Sequence, residues 1–430
     1  MYFILSFGPE SLDVGLNIID RFSYYEEDIV LFGMATLGLS AQHQHEKFNL
    51  HATKISRLTR ILLLLKNFYK LLMSTTDPIP SATKPQQLDW INNLRVLAMF
   101  LVVILHTTSP MLMAYGKVPN SYWLIADFYN ALARFGVPVF VMITGALLLS
   151  RDYELGDFLK RRLWRIIPPF LFWSLIYVAY AWYDEDITFT ADTWMNVKMV
   201  LHQLKFGASY HLWYVYMLIG LYFIIPILSK FVRNATEIQI VYFLLLWLGV
   251  MFINQPYLSR YNPQIDFHNM TGYMGYLVLG YYLASKQFSA WLNAKWFGVL
   301  FLISLIVIVA GTYFACLTHK GLSTLFYEPL SPSIVVLSAS IFMVFRLSVF
   351  KLSPKIKQIV NFAGGYTYGI YLSHALILTI LGDPDYHLNI DYTFCTPFIS
   401  IPLTALICYS LSLLLVWLLS KLPFGKWVAM

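Results

Sequence analysis

Ten long apolar segments run through the chain. A transmembrane helix needs about 20 mostly apolar residues, because each residue adds only about 1.5 Å along the helix axis. The ten segments lie near residues 93–112, 130–149, 164–183, 211–231, 238–254, 270–285, 296–316, 331–350, 366–382 and 397–420. A single soluble core has no room for so many apolar helices. The pattern therefore predicts an all-α fold, a polytopic membrane helix bundle with about ten transmembrane helices.

The composition agrees with a membrane protein. Hydrophobic residues make up 58% of the chain and charged residues 12%, whereas soluble domains carry about 25% charged residues. The formal net charge is +7. In a membrane protein basic loops hold the topology, so we expect a lipid bilayer and no nucleic acid as partner. The three cysteines are scattered and form no CxxC pair, so we expect neither a disulfide framework nor a metal site.

The loops between the predicted spans differ in charge. With the start of the first span inside, fifteen lysines and arginines belong to the inside loops and five to the outside loops. Because basic residues are retained on the cytoplasmic side, we expect an even number of spans with both ends of the core facing the cytoplasm.

Residues 1–87 do not fit this plan, and we treat them as an N-terminal extension that precedes a membrane domain at 88–425. The stretch SRLTRILLLLKNFYKLL (56–72) is apolar with interleaved basic residues, which is typical of an interfacial amphipathic helix. Alternatively, Met73 opens the polar leader MSTTDPIPSATKPQQ and is the native start. Both interpretations stay open.

The first span carries two ionisable residues, Arg95 and His106. A separation of eleven residues places them on nearly the same helix face, about 16 Å apart along the axis. Arg95 is either an interfacial anchor or a binding group. His106 is either a hydrogen-bonded histidine of the bundle or a functional group, since ionisable residues inside a membrane are costly and mark function. A neutral imidazole accepts a proton from a hydroxyl near pH 7.

A second basic group follows in FLKRRLWRIIPPF (158–170), where the third span begins. Lys160 and Arg161 are best explained as positive-inside residues. Arg162 and Arg165 are three residues apart and share a helix face. Together with Arg95 they could form a cationic mouth for phosphates, which arginine binds in bidentate fashion.

Other polar residues near the spans are weaker candidates for substrate binding. Each has a structural alternative: an anchor for Arg134, an aromatic belt for the segment YHLWYVY (210–216), and a hydrogen-bonded core position for the histidine of YGIYLSHALI. These candidates are Arg134, His211, Trp213, Tyr371 and His374.

Three of these stretches together resemble the acyltransferase-3 family of multi-pass membrane acyltransferases. INNLRVLAMFLVVILHTTSP is similar to the Arg–x10–His signature of the first helix in that family, RFGVPVFVMITGALLL to its second-helix segment, and FLKRRLWRIIPPF to its RxxR motif. The segments GYLVLGYYLAS and YGIYLSHALI agree more weakly. The resemblance covers about residues 88–420 and is greatest to the type that O-acetylates enterobacterial common antigen. Two positions depart from the pattern, with Asn92 where the family often has Asp and Thr144 where it usually has Ser.

The resemblance implies an O-acetyltransferase of the bacterial cytoplasmic (inner) membrane. Acetyl-CoA would be the co-substrate, with its phosphates at Arg95, Arg162 and Arg165, and no metal is expected. His106 would act as general base on a carbohydrate hydroxyl or accept the acetyl group itself. Tyr371, His374 and Arg134 are the candidates for stabilising the oxyanion. A secondary transporter with intramembrane His and Arg proton coupling is the alternative, and a homo-oligomer is left open.

Overall fold

The described part of the chain is helical. The computed structural model describes residues 86–255, 272–289, 291–423 and 425–429, and within these ranges it has helices and turns and no β-strand. The interfacial helix predicted at 56–72 and the alternative start at Met73 lie outside the described residues. The helices are α1 Gln86–Met113, α2 Asn120–Ala133, α3 Gly136–Leu148, α4 Leu155–Tyr183, α5 Thr193–Phe206, α6 Trp213–Asn234, α7 Glu237–Ile253, α8 Met274–Ser285, α9 Ala294–His319, α10 Pro332–Leu347, α11 Pro354–Gly365, α12 Thr367–Gly382, α13 Pro397–Leu419 and α14 Lys426–Ala429.

The prediction of a polytopic helix bundle is confirmed. Each of the ten predicted spans overlaps helical structure in the described residues, and the second is divided between two helices. Seven helical segments of the described chain are long and apolar enough to cross a membrane, namely Asp89–Met113, Asn120–Leu148, Leu155–Tyr183, Tyr210–Asn234, Ala294–His319, Leu325–Leu347 and Pro397–Leu419. The other three predicted spans correspond to the shorter helices α7, α8 and α12, which were also the shortest apolar segments of the sequence.

The second span differs from its prediction. It begins at Asn120, ten residues before the predicted start, because polar residues such as Asp127 and Asn130 interrupt the apolar pattern of α2. The span consists of two helices that break between Ala133 and Gly136. Pro138 lies in the first turn of α3, where a missing N–H costs no helical hydrogen bond.

Two helices, α5 and α11, lie between predicted spans and were not predicted. α11 begins after Ser353, whose hydroxyl accepts the N–H of Ile356 at 3.4 Å. It is fastened to the start of α1 by an ion pair between Lys357 and Asp89 at 2.5 Å. Both helices are short, so a search for long apolar segments does not find them.

Helices α3 and α8 pack with their backbones in contact. A Cβ atom added to Gly145 would overlap the carbonyl oxygen of Leu277, and one added to Gly280 would overlap that of Met142. Such small residues allow two membrane helices to approach closely. Within a membrane the association of helices depends on this close packing, because lipid is as apolar as the helix surfaces. α3 also packs on α1, so the close contact holds α8 to the helix that lies beside α1.

Contacts between loops show that the spans alternate in direction. Arg233 at the end of α6 pairs with Asp152 before α4 at 2.6 Å, and Arg346 at the end of α10 donates to the carbonyl oxygen of Lys286 after α8 at 2.6 Å. We call this end, which also holds Arg95, Arg162 and Arg165, the basic end. The opposite end holds the residues that follow α1 and precede α2, where Trp123 donates to the carbonyl oxygen of Leu112 at 2.9 Å.

Candidate active site

Three arginines lie near one tyrosine at the basic end. Tyr222 of α6 is almost fully buried, and its hydroxyl lies within electrostatic range of Arg95, Arg162 and Arg165. Arg95 is half-buried on α1, and Arg162 and Arg165 lie on successive turns of α4. The three arginines that the sequence proposed as a phosphate mouth therefore all lie near Tyr222, and their binding of phosphate stays a prediction.

The neighbouring basic residue Arg161 has a different environment. Its guanidinium pairs with Asp157 one turn earlier at 3.1 Å, and both side chains are exposed. In contrast, the guanidinium of Arg162 lies over the ring of Phe158, 5.8 Å from its centre. Arg162 is thus half-buried, whereas Arg161 and Arg165 are exposed.

Three imidazole rings meet inside the bundle. The ring centre of His106 lies 5.2 Å from that of His374 and 6.4 Å from that of His211, and His211 and His374 are 5.0 Å apart. We call these three rings the imidazole cluster. They come from α1, from the turn Tyr210–Leu212 before α6, and from α12, so that three distant parts of the chain assemble the site.

His106 is the accessible member of the imidazole cluster. It is half-buried, whereas His211 and His374 are 1% and 0% exposed. The ring of Tyr210 packs on it with 5.0 Å between ring centres, and Tyr210 itself is 63% exposed. The cluster is therefore reached from the exposed side of His106 and Tyr210.

The orientation of His374 is set by its own helix. Its Nδ1 lies 2.6 Å from the carbonyl oxygen of Tyr371. A carbonyl oxygen only accepts hydrogen bonds, so Nδ1 carries the proton and Nε2 of the neutral ring carries the lone pair. Among the described residues Nε2 has no hydrogen-bond partner.

His211 is buried rather than placed in an aromatic belt. Its Nδ1 lies 3.1 Å from the hydroxyl of Ser209, and its backbone carbonyl accepts the hydroxyl of Tyr371. Trp213, two residues later, is 44% exposed, as a belt residue would be. The aromatic-belt interpretation thus fits Trp213 and does not fit His211. The two residues have different surroundings because the chain changes from a tight turn to α6 between them.

Tyr177 is a site residue that the sequence did not indicate. Its ring packs on His211 with 5.2 Å between ring centres. Its hydroxyl donates to the carbonyl oxygen of Leu372 at 2.9 Å and accepts the N–H of Leu376 at 3.1 Å. These two backbone groups would normally bond to each other, so Tyr177 enters the hydrogen-bond ladder of α12 beside His374. One tyrosine among thirty carries no local mark of such a role.

Arg134 is engaged in a buried network near the site. Its Nε donates to Asn130 at 2.9 Å, Asn130 donates to Thr108 of α1 at 2.8 Å, and the guanidinium lies over the ring of Tyr327 at 4.2 Å from its centre. Tyr327 in turn donates its hydroxyl to Asp127. The network ties the end of α1 that carries His106 to α2, and a direct role of Arg134 toward substrate stays a prediction.

The two departures from the family pattern have structural uses. The amide of Asn92 donates to Asn361 of α11 at 2.8 Å, and Gly364 leaves the room for Asn92 against that helix. Thr144 donates its hydroxyl to the carbonyl oxygen of Phe140 one turn earlier at 2.9 Å. Asn92 thus joins two helices at the basic end.

Comparison with known proteins gives a family match and two similar proteins. A family model described as "Acyltransferase domain", that of the acyltransferase-3 family, matches residues 88–421. The chain is similar to "Putative membrane-bound acyltransferase YfiQ" of Bacillus subtilis (strain 168), with 24% identity over 365 residues that cover 79% of this chain and 93% of that protein. It is also similar to "Putative acetyltransferase ORF330" of Acidianus two-tailed virus, with 23% identity over 274 residues that cover 61% of this chain and 78% of that protein. No solved structure gives a significant match.

Proposed function

The chain belongs to the acyltransferase-3 family, and from this premise we propose that it is an O-acetyltransferase that moves an acetyl group from acetyl-CoA to a carbohydrate hydroxyl. The coarser statement, a membrane acyltransferase, follows from the family and from the multi-pass helix bundle. The observation that carries the finer proposal is the shared helix α1, which holds Arg95 in the arginine group of the basic end and His106 in the imidazole cluster.

The arginines of the basic end suit the donor. Coenzyme A is a cytoplasmic molecule with several phosphate charges, and arginine binds phosphate by paired, charge-assisted hydrogen bonds. Arg95 and His106 are about 16 Å apart along α1. With its phosphates at Arg95, Arg162 and Arg165, the donor would extend its pantetheine arm along this helix and present the thioester near His106.

The imidazole cluster suits the transfer step. The acceptor oxygen forms a bond to the thioester carbonyl carbon, the carbon–sulfur bond breaks, and the thiolate receives a proton. In this direct route His106 takes the proton of the attacking hydroxyl. In the alternative route a ring nitrogen of His106 attacks the thioester carbon and the CoA thiolate leaves; the acceptor oxygen then bonds to the acetyl carbon, the carbon–nitrogen bond to His106 breaks, and the hydroxyl proton passes to the thiolate. General base catalysis of this kind contributes roughly 10²–10⁴-fold to the rate.

The acceptor would approach from the opposite end of the bundle. Tyr210 and Trp213 are both partly exposed there, and aromatic rings with polar tips are suited to binding sugars. We infer a cell-envelope or surface polysaccharide, or its lipid-linked precursor, as the acceptor class. The enterobacterial common antigen type that the sequence resembles most is one member of that class. The bacterial inner membrane, with the basic end in the cytoplasm, is the corresponding location.

The direct test uses purified wild-type protein in detergent with acetyl-CoA labelled in the acetyl group. The proposal predicts release of CoA and label on added envelope glycans. A secondary transporter would neither release CoA nor label the glycans, because it does not break the thioester and detergent removes the compartments between which it works. Absence of label on every glycan fraction, with protein that still unfolds cooperatively, would contradict the enzyme and favour the transporter.

A further inference from the structure

Within the imidazole cluster, the unpaired Nε2 of His374 indicates a role for this residue in addition to that of His106. Its Nδ1 proton is committed to the carbonyl oxygen of Tyr371, which leaves a lone pair on Nε2. That nitrogen is buried and has no partner among the described residues. Buried polar atoms in native proteins are nearly always hydrogen-bonded, so an N–H or O–H donor is expected to reach His374 Nε2 in the working enzyme.

The rings of His106 and His211 are both close enough to supply that donor, and Nε2 of His211 likewise has no partner among the described residues. Of the two, only His106 is also open to the substrate side, since it is half-buried and His211 is 1% exposed. A hydrogen bond of about 3 Å between two ring nitrogens places the ring centres roughly 5 Å apart, and the centres of His106 and His374 are 5.2 Å apart. The planes of these two rings are inclined by 37°. A small rotation of the half-buried His106 would direct one of its N–H groups at His374 Nε2, whereas His374 is held by its bond to Tyr371.

The surroundings of His374 keep it in this position. Tyr177 inserts its hydroxyl between Leu372 and Leu376 on either side of it, and the thiol of Cys408 donates to the carbonyl oxygen of His374 at 3.3 Å. The ring is 0% exposed, and the backbone of α12 around it is held from α4 and α13, so His374 is poorly placed to meet a bulky thioester. It is well placed to orient a neighbouring ring.

We propose that His374 is a positioning residue that accepts an N–H of His106 and thereby fixes the tautomer of His106. The chain of hydrogen bonds then runs from the Tyr371 carbonyl oxygen through His374 to His106, and the other ring nitrogen of His106 keeps its lone pair toward the substrate. Orientation of a reacting imidazole by a third group is a general catalytic arrangement. This inference rests on the proposed function of His106, whether that residue acts as base or as acetyl acceptor.

Two variants separate this role from a structural one. In His374→Asn the amide can occupy the place of Nδ1 and still donate to Tyr371, but nothing replaces Nε2. In His374→Gln the side chain reaches the place of Nε2, where its oxygen can accept the N–H of His106. The proposal predicts that kcat falls by roughly 10²–10⁴-fold in His374→Asn and is partly restored in His374→Gln, with the KM for acetyl-CoA little changed in both. A structural role predicts the reverse order, and equal activity of the two variants would also overturn the proposal.

A second measurement does not depend on activity. In the ¹⁵N spectrum of histidine-labelled protein, His374→Asn should remove a ring with an unprotonated Nε2 and should change the tautomer signals of His106, while the exposed control variant His202→Gln should leave both unchanged. An unaltered His106 spectrum would overturn the inference even if acetyl transfer is observed. Wild-type protein with the expected spectrum and no transfer would instead contradict the proposed function.

Discussion

At the basic end, neighbouring arginines differ in their environment, and this difference bears on how the donor would be bound. Arg162 and Arg165 lie within electrostatic range of Tyr222, with Arg162 half-buried and Arg165 exposed, whereas Arg161 pairs with Asp157 in solvent. Three residues of the same type on one helix therefore have two different environments. The difference follows from helix geometry, because positions three apart share a face and adjacent positions do not.

This difference predicts the effect of alanine substitution on donor binding. Arg162→Ala and Arg165→Ala should each raise the KM for acetyl-CoA by about 10-fold with a smaller change in kcat, since one charge-assisted hydrogen bond contributes about 1.5–3 kcal/mol and 1.4 kcal/mol corresponds to a factor of ten. Steady-state kinetics with purified protein measures both constants. Arg161→Ala is the matched control, and a rise of KM in the control as large as in the other two variants would refute a phosphate mouth.

At the residue scale, the sequence was sufficient to identify the ionisable groups of the site but not the residues that they contact. Arg95 and His106 stand out because charged and titratable side chains are rare within apolar segments. The burial of His211 could not be read from its neighbours, because a histidine at the end of a span has the same sequence context in a belt and in a core. Tyr177 escaped notice because its role depends on α12, which is about 200 residues away in the sequence.

At the scale of elements, close packing of α3 on α8 supports the helix that lies beside α1. Both contacts depend on the absence of a side chain at Gly145 and Gly280. Overpacking of a tight helix contact forces backbone shifts that typically cost 1–3 kcal/mol. We therefore expect Gly280→Ala to lower the thermal unfolding temperature by several degrees in detergent.

The control for this prediction is another helical glycine. A Cβ atom at Gly298 of α9 meets no atom within 4 Å, so Gly298→Ala should leave the unfolding temperature unchanged or raise it, because alanine favours a helix by up to about 1 kcal/mol. Equal unfolding temperatures of the two variants would show that the α3–α8 contact is not tight.

Element prediction worked for long apolar helices and failed where polarity is mixed. All ten predicted spans are helical, since length and hydrophobicity identify them independently of their neighbours. The early start of α2 was missed because Asp127 and Asn130 are buried in a polar network with Tyr327 and Arg134 that only the folded chain reveals. α5 escaped for a different reason, because no residue of it is buried and a helix that packs on little protein has no strong apolar pattern.

At the scale of the whole molecule, the alternation of the helices places the basic end and the opposite end on different sides of the membrane. The charge of the loops predicts that the basic end is cytoplasmic. Cysteines introduced at exposed positions can test this, with Glu154→Cys at the basic end and Asp385→Cys at the opposite end. Cys395 is partly exposed and would be replaced by serine in both.

A membrane-impermeant maleimide added to intact cells should label Asp385→Cys and should label Glu154→Cys only after the cells are opened. Both variants should react equally in detergent, which controls for reactivity. The opposite pattern would place the arginines outside the cytoplasm and would separate them from the source of acetyl-CoA.

The most direct test of the account measures acetyl transfer in His106→Ala. The matched control is His202→Ala, which removes an exposed histidine of α5. With labelled acetyl-CoA and an acceptor glycan, the account predicts a loss of roughly 10²–10⁴-fold in transfer for His106→Ala and wild-type transfer for His202→Ala, with both proteins unfolding at the wild-type temperature. Transfer by a folded His106→Ala at the wild-type rate would contradict the central claim that this imidazole carries the reaction.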